Sequence, residues 1–343
     1  MPKLIDIKDF LDMRSKYLIL DVRSPKEFLH GHIPEAINLP LFNDAERAKV
    51  GTIYKQVSKE AAITKGLEIV GPKMSGFVKK VTKWCPDKKV IVHCWRGGKR
   101  SGSFAWLLEL VGFEVFVIEG GYKKYRNFVL EGLNKLSLKL IVIGGKTGSG
   151  KTEILRTLPS FGEQIIDLES LANHKGSAFG WIGEPNQPTN EHFENTLFHA
   201  ILSLDHSKRI WVENESRTIG SIFIPEQFWS LKKSSPILQI VVSDEERLKK
   251  LIIDYAQFGK DVLIASFKKI EKKIGNYHYQ NAIQLIENED YAGAAKIALD
   301  YYDKTYQFSL LKNNIDRVYE VQIENQDTYT ITQNIIKVAD ELE

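Results

Sequence analysis

The sequence is poor in cysteine, has no marked excess of either charge and contains no long hydrophobic run. Among 343 residues there are only two cysteines, Cys85 and Cys94, with no CxxC pair and no Cys/His cluster at metal-ligand spacing. That argues against a disulfide framework and against a structural zinc, and a reduced, cytoplasmic setting is expected. No segment approaches the roughly 18 consecutive apolar residues of a membrane span. Near the N-terminus Asp6 precedes any apolar run of signal-peptide length, so neither export nor membrane insertion is expected. Forty-seven basic side chains against 44 acidic ones leave a formal net charge of +3. A nucleic-acid partner would therefore have to be met by local patches and not by the whole surface. Internal repeats, low-complexity tracts and a Pro/Gly/Ser-rich linker are also missing.

What is present is a rhythm of short β-branched runs alternating with amphipathic stretches. The runs fall at residues 17–22, 90–93, 115–118, 140–143, 164–167, 210–212 and 237–242. Buried strands separated by helices are the mark of α/β domains with mainly parallel sheets. The length exceeds what one core usually organises. The rhythm restarts near Leu138, after a helical stretch at 122–133, so two domains are expected, at 1–135 and 136–343. The pattern from 244 to 310 reads as almost wholly helical, an elaboration on the second domain. It carries the lysine pairs Lys249-Lys250, Lys268-Lys269 and Lys272-Lys273, and the aromatics Tyr277, Tyr279, Tyr301, Tyr302 and Tyr306.

Each domain carries a phosphate-sized anion cradle. In the first, the run Val90-Ile91-Val92 leads into His93-Cys94-Trp95-Arg96-Gly97-Gly98-Lys99-Arg100-Ser101. A thiol where a strand turns into a helix meets backbone N–H groups and the helix dipole, which favour the thiolate and bind an oxyanion. Arg96, Lys99 and Arg100 add positive charge, so Cys94 is the candidate nucleophile. Cys85, in Trp84-Cys85-Pro86, has no such surroundings and reads as structural.

In the second, Leu140-Ile141-Val142-Ile143 leads into Gly145-Lys146-Thr147-Gly148-Ser149-Gly150-Lys151-Thr152, a complete Walker A pattern with a strand before it and a helix at 152–157 after it. Its amides suit a diphosphate, Lys151 neutralises it, and Thr152 suits a magnesium ion. Supporting acid/base or magnesium carboxylates are Asp167 and Glu169 at one strand end and Glu213 and Glu215 at another. The motif alone does not say whether the diphosphate belongs to a nucleotide.

The strings Asp21-Val22-Arg23-Ser24-Pro25-Lys26-Glu27-Phe28 and Gly31-His32-Ile33-Pro34-Glu35-Ala36-Ile37-Asn38-Leu39-Pro40, with the Cys94 loop and Glu119-Gly120-Gly121-Tyr122, resemble a rhodanese domain. The usual sulfurtransferase loop of that family has four residues between cysteine and the closing arginine. Here Cys94 and Arg100 are separated by five, as in cysteine-based phosphatases of the same superfamily, so a phosphatase stands as an alternative. The order of the two domains and several intermediate strings resemble the tRNA 2-selenouridine synthase family. These are residues 167–177, Gln187-Pro188-Thr189-Asn190, Phe193-Glu194-Asn195, Glu213-Asn214-Glu215-Ser216-Arg217 and Tyr301-Tyr302-Asp303.

That resemblance implies replacement of sulfur by selenium at the wobble 2-thiouridine of tRNA. The sulfur is first alkylated from geranyl diphosphate, and the S-geranyl intermediate then exchanges with selenophosphate. It implies the donor diphosphate at residues 145–152 and selenophosphate at Cys94, Arg96, Lys99 and Arg100, whether by a covalent selenium adduct or by positioning of the anion. It makes His174, Lys175 and Arg217 candidate substrate contacts. No tightly bound cofactor and no resident metal are expected, and magnesium at the diphosphate stays open. Lys123-Lys124-Tyr125-Arg126 and the helical lysines and tyrosines are candidate contacts for the anticodon. The competing readings are a small-molecule kinase or NTPase fused to a sulfurtransferase or phosphatase, and a non-catalytic binding module.

Overall fold

The computed structural model describes residues 2–311, 317–323 and 326–342. The chain divides into two compact units, Met1–Gly132 with Glu194–Phe198, and Leu133–Phe193 with His199–Glu343. Against the expected division at 135/136, the segment Glu194–Phe198 belongs with the first unit, for a side-chain reason. Asn195 Nδ2 donates to Tyr122 Oη at 2.8 Å and to the His32 carbonyl at 3.0 Å. Phe198 meets Phe128 edge to face, with ring centroids 5.5 Å apart. Such pairings between distant segments leave no local trace in the sequence.

The first unit is built on strands β1 (Lys3–Ile5), β2 (Leu18–Asp21), β3 (Ile37–Asn38), β4 (Lys89–His93) and β5 (Glu114–Ile118). They form a parallel sheet in the order β1-β5-β4-β2-β3. Central β4 is covered on both faces, which is why Val90, Ile91 and Val92 run on without a polar break. β1 and β3 are short and mostly unburied, and no apolar run announces them.

Beside the carboxyl end of β4 a buried ion pair stiffens the frame. Arg23 Nη2 lies 2.6 Å from Asp21 Oδ2, donates to the Gly31 carbonyl at 2.7 Å, and its guanidinium stacks 3.8 Å over the Tyr122 ring. With both charges matched and hydrogen-bonded, the pair tolerates burial. Ser24 and Glu27 then close a capping box on the helix Pro25–His30.

The second unit holds β6 (Lys139–Gly145), β7 (Gln164–Ile166), β8 (Arg209–Glu213), the small antiparallel pair β9 (Thr218–Ile219) and β10 (Ile222–Phe223), then β11 (Ile237–Val241) and β12 (Val318–Gln322). Its main sheet is parallel in the order β12-β11-β6-β8-β7, with β6 at the centre. The helix Thr328–Asp340 packs Ile331, Ile335 and Ala339 into the core that includes Ile141 and Ile143 of β6. The helices Asp244–Tyr255, Lys260–Ile274, Asn276–Glu287 and Tyr291–Leu311 supply the helical elaboration. They share a separate apolar core that includes Phe179, Leu263, Phe267, Ile286 and Ala298. Among the described residues no helix is long and apolar enough to cross a membrane.

Candidate functional site

The loop after β4 is shaped by the turn after β5. The first amides of the helix Gly121–Asn134 reach back to it: Tyr122 N–H donates to the Cys94 carbonyl and Lys123 N–H to the Trp95 carbonyl, both at 2.9 Å. With these carbonyls held by the turn, the loop's N–H groups are left for an anion. Gly121 must be glycine, since its φ is +58° and a Cβ there would stand 2.3 Å from the Cys94 carbonyl oxygen.

Cys94 sits in this loop with 3% of its surface exposed, its Sγ 3.3 Å from Ser101 Oγ. Burial by itself pushes a thiol up. Here the Ser101 hydroxyl, the Arg100 charge and the amides of Ser101 and Arg96 outweigh burial and hold Cys94 below the usual cysteine range. Arg100 is fixed by a bidentate pair with Glu27, at 2.7 and 3.2 Å. It therefore acts as a positioned charge and not as a free arm. Arg96 and Lys99 are exposed at the loop's outer side. His93 is fully buried, and burial brings it down to about 4, so it is neutral beside Asp21.

Removing the hydroxyl in a Ser101→Ala variant should raise the Cys94 pKa and slow its alkylation by iodoacetamide at pH 7 by roughly tenfold, about one pKa unit. Inorganic phosphate should protect the wild-type thiol in the same assay. Equal alkylation rates for variant and wild type across pH 6–9 would show that Ser101 does not tune the thiol.

In the second unit the Walker A residues leave β6 and enter the helix Lys151–Thr157. Lys151 Nζ donates to the carbonyls of Gly145 and Lys146 at 2.8 and 3.3 Å, folding its ammonium across the loop. Ser149 Oγ is buried with no hydrogen-bond partner among the described residues. Thr152 Oγ1 donates to Glu169 Oε2 at 2.9 Å. Glu169 is raised to about 7, first by burial and then by repulsion from Glu215, despite the attraction of Lys151. The other carboxylates diverge in role. Asp167 caps the Ser170 amide at 2.7 Å and pairs with Arg156 at 2.7 Å. Glu213 is fully buried, braces the Leu168 amide at 3.1 Å, and is pushed well above the carboxylate range by burial and by its acidic neighbours. Burial thus favours its neutral form, in which it braces that amide. Glu215 stands against Gly176, where a Cβ would come within 2.2 Å of Oε2.

Other expected contacts fall differently. Arg217 lies on the surface in an ion pair with Glu226, and Lys175 pairs with Glu184 at 3.1 Å. His174 is buried, and burial lowers its pKa. Tyr125, expected as a stacking ring, is 1% exposed. Lys124 pairs with Glu119, and Arg126 binds Glu194 and Asn195. Of the helical lysines, Lys249, Lys250 and Lys268 are ion-paired and Lys269 covers the Trp181 ring. Tyr302 and Tyr306 face inward, whereas Tyr277 is 79% exposed.

Some residues that support the Walker A loop were not legible as such. Arg247 Nε donates to the Thr147 carbonyl at 2.9 Å, and its other nitrogens bind Asp303 and Asp244. Asp303 also holds Lys146 at 3.0 Å. Gly145 N–H donates to Tyr306 Oη at 2.8 Å, and that hydroxyl donates to Gln239. Lys232 is buried, brought down to about 8 by desolvation, and bonded to the Glu215 carbonyl. Asp303 lies in the Tyr301-Tyr302-Asp303 string and Tyr306 among the helical aromatics, whereas Arg247, Gln239 and Lys232 gave no signal.

The family model described as the tRNA 2-selenouridine synthase AAA domain matches residues 138–341, and the rhodanese-like domain model matches residues 6–128. The tRNA 2-selenouridine synthase of Bdellovibrio bacteriovorus is 36% identical over 354 residues, covering 88% of this chain and 91% of that protein. The protein of the same name from Shewanella denitrificans is 34% identical over 336 residues, covering 85% and 88%. That from Nitrosomonas europaea is 33% identical over 357 residues, covering 88% and 91%.

Proposed function

This chain belongs to the tRNA 2-selenouridine synthase family, and from that premise we propose that it replaces the sulfur of wobble 2-thiouridine in tRNA by selenium, through an S-geranyl intermediate. The observation that carries the reading is the pair of anion sites built separately in the two units. One holds an activated thiol, and the other offers only a grip. Two successive phosphate-bearing donors, geranyl diphosphate and selenophosphate, account for both.

In the first step the 2-thio sulfur attacks C1 of the geranyl group, the C1–O bond breaks, and diphosphate leaves. Residues 145–152 hold that diphosphate, Lys151 stabilises its departing charge, and the proton of N3 of the base passes to water. Thr152 Oγ1 and Glu169 are oxygen donors that suit a magnesium ion, which when bound would neutralise further diphosphate charge. In the second step selenium attacks C2, the C2–S bond breaks, and geranyl thiol leaves with a proton. Water then takes the phosphoryl group from selenium as phosphate. The Cys94 loop orients selenophosphate for this attack through its amides, with Arg96 and Lys99 as outer cations and Arg100 as the fixed one, and the Cys94 thiolate takes the proton of hydrogen selenophosphate and passes it to the departing geranyl thiolate.

A phosphatase at Cys94 is disfavoured. It needs an acid for its leaving group. Asp21 and Glu27 are each paired with an arginine, and each is held below its usual range despite burial. Incubating the chain with thiolated tRNA and geranyl diphosphate, then adding selenophosphate, should yield S-geranyl-2-thiouridine followed by 2-selenouridine in nucleoside mass spectra. ATP turnover on a small acceptor, indifferent to tRNA, would replace this reading with a kinase.

A further inference from the structure

The helical elaboration forms a half-open apolar pocket of about 60 Å³ whose lining includes Thr147 of the Walker A loop. The rest of the lining is carbon-rich, including Leu251, Tyr255, Phe267, Ile286 and Ala298. An apolar pocket left unfilled forgoes burial that would stabilise the fold. This one is several times what one water needs. Its position beside a diphosphate loop supplies a reason for keeping it. Along the helix Tyr291–Leu311, Ala294, Ala295 and Ala298 all line the cavity, where larger side chains would fill it. A nucleobase would require buried donors and acceptors. Here Tyr302 Oη, one of the few polar tips, already accepts from the Ala178 amide at 2.8 Å.

We propose that this cavity is the hydrocarbon-tail subsite for an isoprenyl diphosphate whose head is held by residues 145–152, and that Ala294 and Ala298 set the length of chain admitted. The proposal rests on the reading of that loop as the donor-diphosphate site. It also gives the helices 244–311 a task other than offering lysines to RNA, which agrees with the ion pairing of Lys249, Lys250 and Lys268.

Calorimetric titration with inorganic diphosphate, dimethylallyl diphosphate, geranyl diphosphate and farnesyl diphosphate tests it. Each buried methylene is worth about a fourfold change in affinity. The wild-type chain should bind geranyl diphosphate at least tenfold more tightly than inorganic diphosphate. An Ala298→Phe variant should lose roughly that tenfold while binding inorganic diphosphate as before. If the wild type does not prefer geranyl to inorganic diphosphate, the donor reading itself fails and the subsite falls with it. If the preference exists but survives unchanged in folded Ala298→Phe and Leu251→Trp variants, the subsite is overturned and the donor reading stands. Hydrogen exchange on the wild type gives an answer independent of any variant's folding. Geranyl diphosphate should protect the helices Asp244–Tyr255 and Tyr291–Leu311 beyond what inorganic diphosphate does, and equal protection by both would overturn the proposal.

Discussion

A Lys151→Ala chain is expected to transfer the geranyl group about 10²- to 10³-fold more slowly than wild type, the scale on which loss of one stabilising donor at a developing charge is felt. Lys146, Lys151 and Arg247 lie at the Walker A loop, and their partners separate their roles. Lys146 is neutralised by Asp303, and Arg247 is tied to Asp303, Asp244 and the Thr147 carbonyl. Lys151 has no carboxylate ion pair among the described residues and holds only two loop carbonyls, contacts it can exchange for phosphate oxygens. Charge grows on the diphosphate as the C–O bond breaks, so the loss should appear in kcat at saturating donor as well as in KM. Lys146→Ala should cost much less, because its charge is already spent on Asp303. Single-turnover formation of the S-geranyl nucleoside is the measurement. A Lys151→Ala rate within threefold of wild type would remove the loop from the chemistry.

Cys94→Ser should leave geranyl transfer intact and stop the pathway there, with S-geranyl-2-thiouridine accumulating and selenouridine falling by about 10²-fold or more. Serine fills nearly the same space, so the loop's hydrogen bonds from Tyr122 and Lys123 should persist. What is lost is the anion that Ser101 and Arg100 are arranged to favour, since a hydroxyl stays neutral at this pH. Cys85 supplies the control. It is buried, and its sulfur accepts from the Lys89 amide at 3.3 Å, so Cys85→Ser should leave both steps unchanged. Nucleoside mass spectrometry reads all three outcomes in one run. Normal selenouridine formation by Cys94→Ser would refute the role given to the thiol.

The motifs that read clearly in the chain are those whose parts lie within one strand-loop-helix unit. β4 with the Cys94 loop, and β6 with residues 145–152, are such units, and the β-branched runs located both central strands within a residue or two. β12, Val318-Tyr319-Glu320-Val321-Gln322, is an edge strand with Val318 and Val321 half-buried and the other three residues exposed, so no apolar run announces it. The partners of the lysines on these helices were illegible for a related reason. A cation in a sequence shows its charge but not the glutamate that packs beside it, as Glu153 does for Lys250.

By itself the sequence determined two α/β domains, a cysteine in the loop after one central strand and a Walker A pattern after the other, because each rests on residues that the backbone places within a turn of one another. Tertiary packing alone decided that Tyr306, 161 residues from Gly145, satisfies its amide, that Arg247, 100 residues from Thr147, holds its carbonyl, and that Glu27 fixes Arg100 from 73 residues away. It also decided which carboxylates of the second unit burial raises and where an apolar pocket remains. Charge state and empty space follow from burial and from the neighbours burial brings, and those neighbours come from segments that chain order does not relate.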